Sequence, residues 1–166
     1  MLNLHLLECT VKGYDHISDL LFAKYWVITG CKYEGCIKLK FKIPSNIQDF
    51  GYHAFLECES LEEITIPEGI VYLSSAVFEG CVNVKTITLP STLVYIQTST
   101  FGNVPASIVY CLATTPPDFS DSYLGYFSNF DAVNKNTAKL YVPKGSIEAY
   151  RASKWGKYFY NILEID

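Results

Sequence analysis

The chain has 166 residues, 49% apolar, 15% aromatic and 18% charged, which suits one folded domain with a real core and argues against disorder. A net charge of −4, a pI near 5.3 and the lack of any basic run exclude a binder of nucleic-acid phosphates. The longest apolar stretch, residues 20–28, is short and carries Lys24, so it is not a membrane span.

Residues 1–32 show no repeat and read as a divergent N-terminal segment or cap. Met1-Leu2-Asn3-Leu4-His5 has neither a basic n-region nor a small-residue cleavage site, so no signal peptide is read there. Cys9 and Cys31 fall in this segment, and a bridge between them stays open. The stretch YEGCIKLKFKIP (33–44) imitates FEGCVNVKTITLP (78–90) but is one residue short. It reads as a degenerate first strand, with Phe41 and Ile43 inward and Lys40 and Lys42 outward.

From there a 23-residue register takes over. Ile43-Pro44, Ile66-Pro67 and Leu89-Pro90 keep that spacing, as do Phe55, Phe78 and Phe101, Ile47, Ile70 and Leu93, and Phe50, Leu73 and Ile96. A fixed period of this length marks a stack of coils in which no coil buries its apolar face alone. Each coil holds a short alternating segment, Leu61-x-x-Ile64-x-Ile66 and then Val84-x-x-Ile87-x-Leu89, which is the strand signal. Proline ends the strand because it lacks an N–H for the ladder. Ile70, Leu73, Ala76 and Phe78 follow at short spacing, which predicts a tight, 3₁₀-like return rather than a second long strand. The third copy, 89–111, has Val104 where Cys58 and Cys81 stand, and places Ser107 at the level of Leu61 and Val84. In that alignment Phe55, Phe78 and Phe101 form one buried column and Ile64, Ile87 and Tyr110 another.

The step Thr114-Thr115-Pro116-Pro117 breaks the register, and an aromatic excursion follows with Phe119, Tyr123, Tyr126, Phe127 and Phe130. Residues 139–143 then read as one more strand ending in Pro143. Ser146 is a candidate N-cap and Glu148 suits the first helical turn. Ile147 and Tyr150 share one face of a short helix, while Trp155, Phe159 and Ile162 add bulk. The organisation is therefore a divergent segment (1–32), the coils (33–112) and a capping region (113–166), all in one solenoid. A last coil exposes an apolar edge and an unpaired strand, which such a cap must cover.

The Ile-Pro step, the Ala54-Phe55 and Val77-Phe78 pairs, and Cys58 and Cys81 together resemble leucine-rich repeats of the BspA-like type, found in bacterial surface antigens. The tail LYVPKGSIEAYRASKWGKYFYNILEID (140–166) is similar to the closing segment of such domains from gut Bacteroidetes. The resemblance covers residues 33–166. It implies an α/β or mainly β fold: a right-handed solenoid with one short parallel strand per coil and an aromatic and helical cap. It also implies a non-enzymatic protein, at the cell surface or secreted, that adheres to host or neighbouring-cell proteins.

Catalytic chemistry finds little support in the residues. His5, His16 and His53 are scattered, and His53 beside Tyr52 reads as a solvated side chain. A nucleophile needs a base and an orienting third group within reach, and no such set clusters. Glu62 and Glu63 are adjacent in a strand and splay apart rather than forming a carboxylate pair. No glycine-rich phosphate loop or metal-ligand run occurs, so no cofactor or metal is expected. Cys58 and Cys81, with Cys36 one coil earlier, repeat at one register position and read as small buried apolar spacers with free thiols.

The repeats do offer a surface. With Leu61, Ile64 and Ile66 inward, Glu62, Glu63 and Thr65 point outward, followed one coil on by Lys85, Thr86 and Thr88 and then by Ile108, Val109 and Cys111. Lys40, Glu62 and Lys85 are either cross-strand pairs, worth about 0.2–1 kcal/mol each, or part of a binding face. The apolar end at Ile108 and Val109 is expected to lie under the tail. The residues favour a protein-binding strand face centred on Glu62, Glu63, Thr65, Lys85, Thr86 and Thr88. The alternative is a glycan-binding or accessory domain that stacks sugars on the aromatic segment 119–130.

Overall fold

The computed structural model describes residues 28–29, 50–59, 61–120 and 128–166. The degenerate strand at 33–44, the thiols Cys9, Cys31 and Cys36, and the rings Tyr123, Tyr126 and Phe127 lie outside that set. The fold is mainly β: parallel strands stacked as a solenoid, with one short α-helix near the C-terminus among the described residues.

Each coil runs along the long sheet, turns (at Pro67 and Pro90 in the first two, at Leu112 in the third) and returns through a short ladder. The long sheet contains β3 (Glu63–Thr65), β5 (Thr86–Leu89), β7 (Ile108–Cys111), β9 (Lys139–Val142) and β10 (Asn161–Glu164), all parallel and in that spatial order. Its inward column is Ile64, Ile87, Val109, Leu140 and Ile162, each at most 3% exposed. The return carries a second ladder of two-residue strands, β4 (Tyr72–Leu73), β6 (Tyr95–Ile96) and β8 (Asp118–Phe119), where the sequence suggests an irregular turn. These strands form because Leu73, Ile96 and Phe119 continue the 23-residue column begun by Phe50, and all four side chains are buried.

A third side of the coil closes on the phenylalanine column. β1 (Ile28–Thr29) pairs in parallel with β2 (Phe55–Leu56). Phe55 N–H donates to Val77 O at 2.7 Å, and Phe78 N–H to Thr100 O at 2.9 Å, so the backbone ladder continues coil to coil. The rings stack in step: Phe55–Phe78 at 5.1 Å and Phe78–Phe101 at 5.6 Å, both within 3° of parallel. The tight turns flanking this side need left-handed backbone twice per coil, in two 23-residue columns: His53, Ala76 and Ser99, and then Glu57, Gly80 and Asn103. Cys58 and Cys81 fill the turn as buried free thiols, and Cys81 Sγ reaches Phe55 O at 3.2 Å.

Two register readings need correction. The inward residue facing Ile87 is Val109, not Tyr110, because the third coil loses one residue between Val104 and Ala106. Ala106, not Ser107, therefore stands at the level of Leu61 and Val84, and Val109 and Cys111 point inward, buried, while Ile108 and Tyr110 face out. The Pro116-Pro117 turn restores the lost residue. Asp118 and Phe119 pair with Tyr95 and Ile96 in the original spacing, so the register does not break at Thr114–Pro117.

The end of the stack is closed by residues 128–133 and by the tail. Phe130 stacks on Phe101 at 5.4 Å as the next ring of the column. Beside it, Asn129 Oδ1 accepts from Phe101 N–H at 3.0 Å and Asp131 Oδ1 from Asn103 N–H at 2.8 Å. Two side-chain oxygens thus occupy the places that carbonyls of a following coil would take. In the tail, α1 (Ile147–Ala152) and a 3₁₀ turn (Lys154–Lys157) bury Tyr150, Trp155 and Phe159 against the core. Trp155 Nε1 donates to Pro117 O at 2.8 Å and Tyr150 OH to Ala113 O at 2.7 Å, which satisfies their polar ends. Ser146 stands at the N-cap, but its hydroxyl makes no capping bond and donates instead to Thr114 O at 3.0 Å.

Candidate functional site

The long sheet presents two outward columns. One runs Glu63, Thr86, Ile108, Lys139, Asn161; the other runs Thr65, Thr88, Tyr110, Tyr141, Leu163. The parallel ladder fixes both, since alternate side chains of neighbouring strands align at ~4.8 Å spacing. Of the six residues singled out in the sequence, Glu63 pairs with Thr86 and Thr65 with Thr88 in this register. Glu62 and Lys85 flank them, joined by a backbone bond from Lys85 N–H to Glu62 O at 2.8 Å. Glu62, Glu63, Thr65 and Lys85 are exposed and the two later threonines half-buried. The ladder therefore places Glu63, Thr65, Thr86 and Thr88 on its outer face, with the exposed Glu62 and Lys85 at the strand starts beside them.

The charges on this face do not pair with each other among the described residues. Among the described residues the ion pairs are Arg151–Glu148 and Lys154–Asp118, both away from the long sheet. Glu63 accepts, among the described residues, a long bond of 3.4 Å from its neighbour Thr65 Oγ1. Lys85 and the exposed Lys139 make no ion pair among the described residues.

The apolar end of the face is larger than the sequence suggests and is not covered by the tail. The chain instead lays β9 and β10 alongside β7, extending the sheet. Tyr110 and Tyr141 stack at 4.9 Å and 18°, half-buried, with Ile108 beside them and Leu163 39% exposed at the sheet's end. Sequence reasoning missed Tyr110, Tyr141 and Lys139 as face residues.

Of the aromatic segment 119–130, the described rings are Phe119 and Phe130. Phe119 is fully buried and Phe130 1% exposed, both packed against Trp155. Neither ring has a face for a sugar. Elsewhere, His53 is half-buried, 3.7 Å from the Tyr52 ring, and burial pushes its pKa down. The Glu79 carboxyl is pushed up, first by burial and then by the nearby charges of Asp131 and Glu57. Glu68 is held down by bonds from the next coil, the Ser91 N–H first. No group of three or more His, Cys, Asp or Glu among the described residues is arranged to hold a metal ion.

These features define a repeat solenoid that displays one open parallel-sheet face, an architecture typical of non-enzymatic binding scaffolds. The chain belongs to the BspA type leucine rich repeat region family, whose model matches residues 23–117, more than half its length. That family suggests a protein-interaction repeat module and is associated with bacterial surface proteins. No curated protein matches the chain. No helix among the described residues is long and apolar enough to cross a membrane.

Proposed function

We propose that this chain is a non-enzymatic interaction module, displayed on a bacterial surface or secreted, that adheres to host or neighbouring-cell proteins through the outer face of its long sheet. Glu62, Glu63, Thr65, Lys85, Thr86 and Thr88 form the start of that face, and the tyrosine pair continues it. One observation carries the reading: Glu63, Thr65, Lys85 and Lys139 stay exposed along the sheet while the tail extends it by two strands. A stacked ladder holds side chains in fixed positions, which limits the ordering cost of association.

The test is capture of proteins from host-cell or extracellular-matrix extract by the immobilised chain and by the double variant Glu63→Lys, Lys85→Glu. The variant is expected to retain less of the captured material at equal folded content. Equal retention of the same proteins by both would place the site elsewhere.

A further inference from the structure

We infer that the tyrosine end of the sheet is the anchor, and that it takes an acidic polypeptide segment crossing the strands: an apolar side chain bracketed by carboxylates. The inference rests on the strand-face reading above and assigns its partner's chemistry. Tyr110 and Tyr141 stack on each other and remain half-buried, with Ile108 beside them, so a partner side chain here meets a preformed apolar floor. Anchors of binding are typically aromatic, central and already ordered.

The charges around this floor set the chemistry. Lys85 lies on the β5 side of Ser107 and Ile108, with its carbonyl accepting from both their N–H groups, and Lys139 pairs with Ile108 on the β9 side. Both lysines are exposed, and neither makes an ion pair among the described residues. Two strand spacings separate them, roughly 10 Å, which an extended peptide spans in about three residues. Carboxylates at that spacing meet both ammonium groups across Ile108, and a large apolar side chain between them extends from Ile108 onto the Tyr110–Tyr141 pair two residues further along the strands. Beyond Lys85, Glu62 and Glu63 disfavour any further acid, so the acidic stretch is short and has a basic side.

The experiment measures binding of the full chain to synthetic peptides. One carries Phe between two Glu about three residues apart, a second has Lys for both Glu, and a third has Ala for Phe. The expected result is binding of the first alone, weakening steeply with salt. In the double variant Lys85→Glu, Lys139→Glu the preference should pass to the Lys-flanked peptide, each reversal moving affinity by roughly two- to fivefold. If Tyr110→Ser abolishes binding but the flanking charges make no difference, the acidic-partner inference fails and the strand-face reading stands. If none of these substitutions alters peptide binding, both fail. Binding of hyaluronan, an acidic polysaccharide, in place of every peptide also overturns the inference.

Discussion

Asn129 stands in for a missing coil at Phe101. Its Oδ1 accepts the Phe101 N–H at 3.0 Å, where Phe55 and Phe78 donate to backbone carbonyls of the coil above. Its Nδ2 donates to Gln97 O at 2.7 Å, so the carboxamide acts as a peptide group on both sides. The side chain is fully buried, leaving no water to replace it. Asn129→Ala strands the Phe101 N–H and should cost about 1–3 kcal/mol in urea denaturation, the penalty of an unmade buried bond. Asn129→Asp keeps the acceptor but loses the donor and buries a charge, and should be at least as damaging.

The phenylalanine column should behave as one stack. Phe78 touches Phe55 on one side and Phe101 on the other, and is 1% exposed. Phe78→Ala should lower stability by about 3–5 kcal/mol, whereas Phe78→Leu, which fills most of the space, should cost far less. Equal losses from the two substitutions would mean that ring stacking, not volume, holds the coils together.

The thiols of the coils should be silent in the folded state. Cys58, Cys81 and Cys111 are free and buried. Burial pushes the Cys111 thiol up to about 11, which leaves almost no thiolate at neutral pH. Iodoacetamide at pH 7.5 should modify none of the three until denaturant is added. Mass spectrometry of the peptides around Cys58, Cys81 and Cys111 reads this directly.

Glu79 should make stability fall as pH rises. Its folded pKa is raised by burial and by the charges of Asp131 and Glu57, so the folded state holds the proton more tightly than the unfolded chain. The stability from that proton is complete below the ordinary glutamate range, near 4.3, and is lost as pH climbs through the raised value. Glu79→Gln removes the titration. The variant should be more stable than the parent at pH 7, with the gap closing as pH is lowered through the glutamate range.

The solenoid was legible because its inward residues repeat: Phe55, Phe78 and Phe101, or Ile64 and Ile87, cannot hold step by accident. The slip at the third coil was not, because Tyr110 is as acceptable an inward residue as Val109 and the alternation reads equally well either way. Only stacking against Ile87, which fixes Val109 as the partner, decides between them. The cap was partly legible. Tyr150 and Trp155 show as core bulk, but Asn129 and Asp131 are ordinary loop residues until a backbone donor is placed against them. β10 was missed because Asn161-Ile162-Leu163-Glu164 has one inward residue and no alternation to announce it. On the face, the outward places of Glu63, Thr65, Thr86 and Thr88 followed from strand alternation, while Tyr110 and Tyr141 come together only once the deletion is known.

The charged face should contribute little to the fold. Cross-strand pairing of Glu62 or Glu63 with Lys85 would be worth about 0.2–1 kcal/mol, and removing one partner would expose that coupling. The structure shows no such ion pair among the described residues, only a backbone bond between Glu62 and Lys85 and a register contact between Glu63 and Thr86. A double-mutant cycle with Glu63→Ala and Lys85→Ala should therefore give a coupling near zero, within about 0.3 kcal/mol, and each single change should move stability by under about 0.5 kcal/mol. The same holds for Glu62→Ala against Lys85→Ala. A coupling approaching 1 kcal/mol would show that these charges stabilise the sheet, and would weaken the case that they are kept for a partner. Negligible coupling, together with reduced capture by the charge-swapped variant, separates binding from folding at Glu62, Glu63 and Lys85.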